Sequence, residues 1–468
     1  MRTICLVFIA YCTVSWCCGD RTAGASPNIV VFLADDYSQA DSGPYGCRDL
    51  RTPQIDALAA RGMTFDRAYV ASPSCAPSRA ALLTGLFPAR NGAQANHAKP
   101  AADLKKWPAY FQELGYETAA FGKVSHYGHT SLYGFDHFAH DAFHDPEGIP
   151  AAVNFLKQRS GSNVKPLCLM VGSNWPHVPW PEKFEGIDPD SLHLPDGSID
   201  TPQTRRWRAR YATAVERLDQ ELGEVMHAVD EYLPDDTVFI FSADHGSQWP
   251  FAKWNLYEAG IRVPLIVAQK NSIQAASRSD ALVSWVDFLP TCVDLAGGTT
   301  IADIDGRSFK AVLQGNAKEH RELIFATHLN DNRMNVYPSR SLQDKRWKYI
   351  RNLHPEYAFT THIDLVAGRL GQRDFFRTWE EASHNDPHAA ELLKRYHARP
   401  AEELYDLTAD PTEQRNVAGL SEHAADLRRL RSELDRRLSE QRDNPQIKVA
   451  PRLLSDPKSF GPAAEVND

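Results

Sequence analysis

Cys75-Ala76-Pro77-Ser78-Arg79 brings a thiol, two helix-starting residues and a base into five positions. Pro77 and Ser78 set Cys75 at a helix N-terminus, where backbone N–H groups face outward. Arg79 follows one turn later and can reach back toward the sulfur. A lone cysteine before a helix is usually a small buried hydrophobe. The C-x-P-S-R run followed closely by Leu83-Thr84-Gly85 argues against that plain role here. Asp35, Lys123 and Asp244 each follow directly on an apolar run: NIVVFLA, ETAAFG and TVFIFSA. Each therefore lies just past the carboxyl end of a predicted strand. In open α/β sheets ligands bind beyond those ends, so three separate segments direct polar groups at one rim.

The elements that must hold these residues are legible as patterns. Residues 28–34, 117–121, 166–172, 237–242 and 263–268 read as buried, β-branched or apolar strands. Helical spacing marks the stretches after Thr52-Pro53, from 104 to 114, from 204 to 232 and from 285 to 296. Strands alternating with helices predict an α/β fold, a mostly parallel sheet with helices on both faces. After about residue 320 the texture changes to short strands (323–326, 339–343, 347–350, 403–407) and one amphipathic helix (427–438). This predicts a smaller C-terminal α+β subdomain. The expected division is a signal segment at 1–25, a main domain at 26–320, the subdomain at 321–442 and a Pro-rich tail at 443–468.

The composition is that of a globular chain: 43% hydrophobic and 24% charged over 468 residues. Lys plus Arg is 51 against 60 for Asp plus Glu, a net charge of −9. A nucleic-acid binder normally carries a basic surplus, so that class is disfavoured. Arg2 followed by the apolar run from Ile4 to Trp16 is too short for a membrane span and fits an export signal, with Ala23-Gly24-Ala25 as a cleavage site. Trp16 sits badly in a lipid-attachment box, which favours a cleaved, secreted or periplasmic protein over a lipid-anchored one. Outside the signal region only Cys47, Cys75, Cys168 and Cys292 remain, too few and too scattered for a disulfide framework or a structural zinc site.

CAPSRAALLTG resembles the maturation signature of the type I sulfatases. PNIVVFLADD, FGKVSH, NWPHVPW, SADHG with K-W-N-L-Y-E-x-G-I-R-V-P, and LYDLTADPTEQRNVA are similar, in the same order, to further landmarks of that family. The resemblance runs from Pro27 to about Val417. It implies an alkaline-phosphatase-like core and a maturation enzyme, aerobic or anaerobic, that converts Cys75 to formylglycine. It also implies a divalent cation held by Asp35, Asp36, Asp244, His245 and the residue at 75. Hard oxygen ligands favour Ca²⁺, with Mg²⁺ as the alternative; His245 stands where many relatives carry Asn. The family's roles map onto this chain as follows. The hydrated formylglycine at 75 attacks sulfur, with Arg79 and Lys123 holding it. His177, helped by Lys253, protonates the leaving group. His126 takes the proton that lets sulfate depart.

The segment Tyr337-Pro338-Ser339-Arg340-Ser341 with Trp347 to Leu353 is similar to the heparan N-sulfatase branch, and FGKVSH to iduronate 2-sulfatase. The expected substrate is therefore a sulfated carbohydrate of glycosaminoglycan type, with Arg333 and Arg340 meeting an anionic neighbour. Where sulfamidases carry His-His-Glu, this chain has Asn330-Asp331-Asn332, a departure that bears on N-sulfate specificity. Two rival readings share the motif. One is a phosphonate or phosphodiester hydrolase of the same superfamily. The other is a non-catalytic glycan-binding relative.

Overall fold

The computed structural model describes residues 26–140, 143–159 and 164–467. The expected signal segment, with its four cysteines, lies outside them. The main sheet contains β1 (Ile29–Ala34), β2 (Met63–Phe65), β3 (Glu117–Gly122), β4 (His137–Ala139), β5 (Leu167–Gly172), β6 (Val238–Ala243), β7 (Leu265–Ala268) and β8 (Ser277–Ser279). Their spatial order is β8-β2-β7-β6-β1-β5-β3-β4. Every pairing is parallel except those of β7, which runs antiparallel to β2 and β6. The sheet is thus the mostly parallel α/β architecture that the alternating pattern predicts.

The central strands β1, β5 and β6 are buried along their whole length. That is why they read as continuous Val/Ile/Leu/Phe runs rather than alternating ones. Their register decides where chemistry can occur. Ala34 pairs with Ala243, Leu33 with Gly172, and Gly122 with Gly172. The residues that follow emerge side by side: Asp35, Asp244, Ser173 and Lys123. The Asp244 N–H still donates to Ala34 O (3.2 Å), Ser173 N–H to Leu33 O (2.9 Å) and Lys123 N–H to Gly172 O (2.8 Å). A Cβ on Gly122 would collide with the Gly172 carbonyl oxygen, and Gly122 also has φ +68°. Glycine there lets the backbone carrying Lys123 turn over its neighbour.

Helix α1 (Pro53–Arg61) starts on Pro53, and α2 (Cys75–Thr84) starts on Cys75 itself with Ser74 as its cap. All ten residues of α2 are buried, and Gly85 closes it in the left-handed conformation, donating to Ala81 O at 2.9 Å. The Leu-Thr-Gly sequence is therefore a helix ending followed by its cap. Helices α3 (Trp107–Glu113) and α4 (Gly148–Gln158) flank the sheet, as does the long α5 (Pro202–Tyr232). In α5, Thr201 caps the start by accepting from Thr204 N–H at 3.1 Å. Its buried stripe includes Trp207, Tyr211, Leu218, Leu222 and Val225. Each such side chain contributes roughly 1.5–3 kcal/mol by leaving water. Helix α6 (Phe288–Leu295) packs near α2 and α3.

The C-terminal unit is an antiparallel sheet of β9 (Ile324–Asp331), β10 (Asn335–Gln343), β11 (Trp347–Asn352) and β12 (Glu402–Asp406), in that spatial order. A helix pair that the sequence reading lacks, α7 (Arg373–Ser383) and α8 (Pro387–His397), packs back on α5. There Trp379 Nε1 donates to Thr204 Oγ1 at 2.7 Å, and the Phe375 ring lies 6.1 Å from Trp207. Helix α9 (Ala424–Gln441) covers β10 and β11. The tail is draped over this unit: Val466 pairs with Val366, and Asp443 forms an ion pair with Arg340.

Candidate active site

Ten of the twelve residues singled out from the sequence meet at the carboxyl edge of the main sheet. The exceptions are Arg333 and Arg340. Asp35, Asp36, Asp244, His245, Arg79 and Lys123 are 0% exposed, Cys75 1%, Lys253 2%, His126 3% and His177 8%. So many buried charges persist only when each is paired. Arg79 does most of the pairing, with Nε on Asp244 Oδ2 (2.9 Å) and Nη2 on Asp35 Oδ1 (3.1 Å). Its Nη1 donates to the Lys123 carbonyl, which ties α2 to the β3 loop. Lys123 Nζ joins Asp35 Oδ2 and lies 3.7 Å from Cys75 Sγ. Lys253 Nζ donates to Asp36 Oδ2 at 2.6 Å. Three carboxylates thus face three fixed cations. Asp36 adopts φ +61°, a left-handed conformation Asp tolerates better than most residues, and its N–H donates to Asp244 Oδ1 at 3.0 Å.

Burial pushes Asp35 and Asp36 up, and the bases pull the two down unequally. For Asp35 the fall wins: Lys123, His177 and Arg79 hold it well below the usual carboxylate range. For Asp36 burial wins, even against Lys253 and His245, with Asp35 and Asp244 adding to the rise. Of these two, Asp36 therefore has more to gain from a further cation. Burial likewise pushes the Cys75 thiol well above its ordinary range despite Lys123 and Lys253. An unmodified thiol there stays protonated and makes a poor nucleophile.

The donor set fits a metal ion. Ligand atoms of Asp36, Cys75, Asp244 and His245 all lie within 4.8 Å of one another, as do those of Asp35, Asp36 and His177. Oxygen ligands at 2.3–2.6 Å from a calcium-like ion span roughly that distance. His245 Nδ1 lies 3.0 Å from Gly246 O and donates to it. That leaves Nε2 bare, 3.5 Å from Asp36 Oδ1, 3.6 Å from Asp244 Oδ2 and 3.2 Å from Cys75 Sγ. The sulfur stands where the oxygen of an oxidised residue 75 would sit. A divalent ion added to three acids and three bases leaves the pocket positive and suited to an anionic ester.

His177 Nδ1 is 2.6 Å from Val178 O, so Nε2 is the free nitrogen, 3.9 Å from Asp36 Oδ2. Burial, then Lys253 and Lys123, push this imidazole well below its ordinary range. His126 is buried beside Tyr127 and pairs with His97, Nε2 to Nδ1 at 2.8 Å.

The two arginines depart from the rim. Arg333 is exposed in the turn between β9 and β10. Arg340 is not available to a sugar, which corrects its placement as a substrate ligand. It is 1% exposed, and its guanidinium is spent on Asp443 and on the carbonyls of His328 (2.9 Å) and Ser339 (2.8 Å). Asn96 and His97 are site residues that the sequence reading missed. The Asn96 side chain accepts from Ala76 N–H at 3.0 Å, so part of the helix terminus is already capped. The signal available was a polar pair in the turn-rich stretch NGAQANHAKP.

A family model described as Sulfatase matches residues 27–298. One described as N-sulphoglucosamine sulphohydrolase, C-terminal, matches residues 245–365. An ulvan-active sulfatase of Formosa agariphila is 34% identical over 403 residues, 84% of this chain and 76% of that protein. Human N-sulphoglucosamine sulphohydrolase is 28% identical over 460 residues, 87% of this chain and 89% of that protein. A solved structure in complex with its substrate D-glucosamine-2-N,6-O-disulfate shares the fold, with TM-score 0.67 at 22% identity over 90% of this chain and 99% of that one. A phosphonate monoester hydrolase from Silicibacter pomeroyi shares it too, with TM-score 0.65 at 19% identity, covering 89% of this chain and 96% of that one. Fold alone thus spans both chemistries, while the sequence matches separate them: with a sulfatase model over more than half its length and a sulfatase relative above 30% identity, this chain belongs to the sulfatase family, the sulfuric ester hydrolases.

Proposed function

We propose that the protein removes sulfate from a sulfated carbohydrate, an O-sulfate or N-sulfate on a glycosaminoglycan-like or uronate-bearing chain. The observation that carries this reading is the convergence of Cys75, at a buried helix start, with four potential metal ligands and three fixed cations. The sulfatase relatives named for ulvan and for N-sulphoglucosamine support the substrate class. In this reading formylglycine at position 75 supplies a gem-diol nucleophile, and a divalent ion, Ca²⁺ before Mg²⁺, supplies Lewis-acid polarisation of a sulfate oxygen. Asp35, Asp36, Asp244 and His245 hold that ion. Lys123 and Lys253 meet the remaining sulfate oxygens, where charge grows in the transition state. Arg79 keeps Asp35, Asp244 and the Lys123 backbone in register. His177 carries a proton at Nε2 to the leaving oxygen or nitrogen; the arriving anion raises an imidazole that burial and two lysines otherwise depress. His126 accepts a proton in the second half of the reaction. The apolar N-terminal run directs the chain to export.

Two measurements test this. Peptide mass spectrometry of protein from its native host shows residue 75 as the aldehyde or its hydrate. Matured protein cleaves sulfated disaccharides and aryl sulfates faster than the matching aryl phosphonates. Active protein carrying only thiol at position 75 overturns the nucleophile, and a preference for the phosphonate overturns the substrate class.

A further inference from the structure

Asp331 closes β9 in the C-terminal sheet, yet its carboxylate reaches two segments of the main unit. Oδ2 accepts from Asn96 Nδ2 (2.9 Å) and from Trp254 Nε1 (2.7 Å). Asn96 caps the Ala76 N–H next to residue 75, and Trp254 adjoins Lys253. Oδ1 makes no hydrogen bond of its own but faces His97 Nε2 at 3.2 Å, an ion-pair distance. His97 Nδ1 in turn lies 2.8 Å from His126 Nε2, and His126 Nδ1 is buried without a hydrogen-bond partner. His97 is held at φ +64°, a conformation a side-chain-bearing residue keeps only where its surroundings impose it.

We propose that Asp331 is a positioning residue that acts through His97 to keep the His126 proton on Nε2 and leave the Nδ1 lone pair bare. The reasoning runs along the chain of atoms. An ionised carboxylate carries no proton and favours one on the nitrogen that faces it, so His97 carries its proton on Nε2. With His97 in its neutral form, Nδ1 is then an acceptor, and the nitrogen facing it, His126 Nε2, donates. What remains on His126 is an unprotonated Nδ1, the atom a general base uses. Hydrogen bonds to Asp331 hold its carboxylate well below the usual range, even though burial opposes this, and burial and Lys123 push His126 down to about 2. The aspartate is therefore charged and the base neutral. When His126 takes a proton at Nδ1, its Nε2–H keeps pointing to His97 Nδ1 and the His97 Nε2–H keeps facing Asp331. One proton moves, and the carboxylate is never protonated. The pattern is that of a carboxylate fixing a catalytic imidazole's tautomer, with a second imidazole inserted. Asp331 stands where the sequence comparison with sulfamidases invited a sugar contact; at 3% exposure it faces inward instead.

The kinetic consequence rests on the sulfatase reading, but the tautomer does not. The test uses the whole chain with Cys75 unmodified for the tautomer and matured protein for rate. ¹⁵N NMR of histidine-labelled protein should show His126 protonated on Nε2 and bare on Nδ1. In Asp331→Asn the side chain keeps its shape, but an N–H₂ now faces His97, so the pattern reverses and His126 becomes protonated on Nδ1. Matured Asp331→Asn should lose at least ~100-fold in kcat on a small aryl sulfate, with KM within about threefold, as expected for loss of a general base. His97→Ala, at a side chain 41% exposed, should match that loss without unfolding, and the double variant should add nothing further. A wild-type His126 protonated on Nδ1 overturns the proposal, as does an unchanged kcat in Asp331→Asn or additive losses in the double variant. An inactive wild type with the expected tautomers overturns the sulfatase reading and leaves this one standing.

Discussion

Two sets of buried charges behave differently. At the rim of the main sheet, Asp35, Asp36 and Asp244 face Arg79, Lys123 and Lys253, and open donor atoms converge on one point. In the C-terminal unit, Arg340 is sealed against Asp443 and two carbonyls, and Asp364 closes a capping box with Thr361. The first set leaves several atoms aimed at a shared centre; in the second, the Arg340 guanidinium spends its donors on Asp443 and two carbonyls. Burial and pairing alone therefore do not mark a site. Convergence of unspent donors does.

The largest expected effect lies at the rim. Asp244→Ala removes a proposed metal ligand, the Arg79 partner and the acceptor of the Asp36 N–H together. Activity should fall below detection. Stability should fall by about 3 kcal/mol, since half of a buried ion pair is left behind. Chelation of the matured protein should abolish turnover and lower the melting temperature, because an ion that binds only the folded state stabilises it. Denaturant unfolding and an aryl-sulfate assay read both effects. Full activity in EDTA would break the rim's claim to be a metal centre.

The mirror experiment is Arg340→Ala. It strands Asp443 and two carbonyls without a donor, so unfolding free energy should drop by about 3 kcal/mol. The remaining folded protein should cleave aryl sulfate and oligosaccharide with equal, near wild-type kcat/KM. A selective loss on the oligosaccharide would return Arg340 to the substrate.

These two regions were not equally legible in the sequence. The rim could be read because strand ends are local: a β-branched run that stops at Asp35, Lys123 or Asp244 announces its own terminus, and the sheet register aligns them. Cys75 at the start of α2 was legible from Pro77 and Ser78, and Gly85 at its end from the left-handed cap. Arg340 could not be read, because its partner Asp443 is 103 residues away and no periodicity encodes that distance. Asp331 was visible as a departure from the sulfamidase pattern, but its three partners come from turns and loops of another unit. Helices α7 and α8 were missed although Phe375, Phe376 and Trp379 share one face. Their overall polarity hides a one-sided aromatic face that the helical period itself carries, and only His384 to Asp386 separates the two helices.

Asp364 sharpens the contrast through pH. Burial pushes its carboxyl up to about 7, although the Thr361 N–H (2.6 Å) and Tyr396 hydroxyl (3.0 Å) pull it down. The rim's Asp35, paired with Lys123, moves the other way. An acid raised in the folded state binds its proton more tightly there than when unfolded. The stability it provides is full below about pH 4 and is lost as pH rises through 7. Asp364→Asn lacks this dependence. Between pH 5 and pH 8 its unfolding free energy should gain on the wild type by about 2 kcal/mol. Parallel curves for the two proteins would mean that Asp364 titrates normally.

Arg333 gives the smallest and most selective effect. It is exposed in the turn after Asp331, on the segment that carries Asn330, whose carbonyl accepts from Asn96 N–H at 2.9 Å. The turn is thus anchored to the loop that caps α2, so a guanidinium there can meet a second anionic group on a bound oligosaccharide. One charge-assisted bond at an exposed position is a modest contribution. Arg333→Ala should lower kcat/KM on a sulfated oligosaccharide about tenfold, or about 1.4 kcal/mol, mainly through KM. On an aryl sulfate it should change nothing, since that substrate ends at the rim. Loss on both substrates would show that the arginine supports the turn itself. No loss on either would move the discrimination to the other wall, where Phe143 and His144 pack on His177 with ring centroids 5.3 and 5.7 Å away. In either case the rim chemistry would stand, because nothing in Arg333 touches it; only the route by which the C-terminal unit selects a substrate would change.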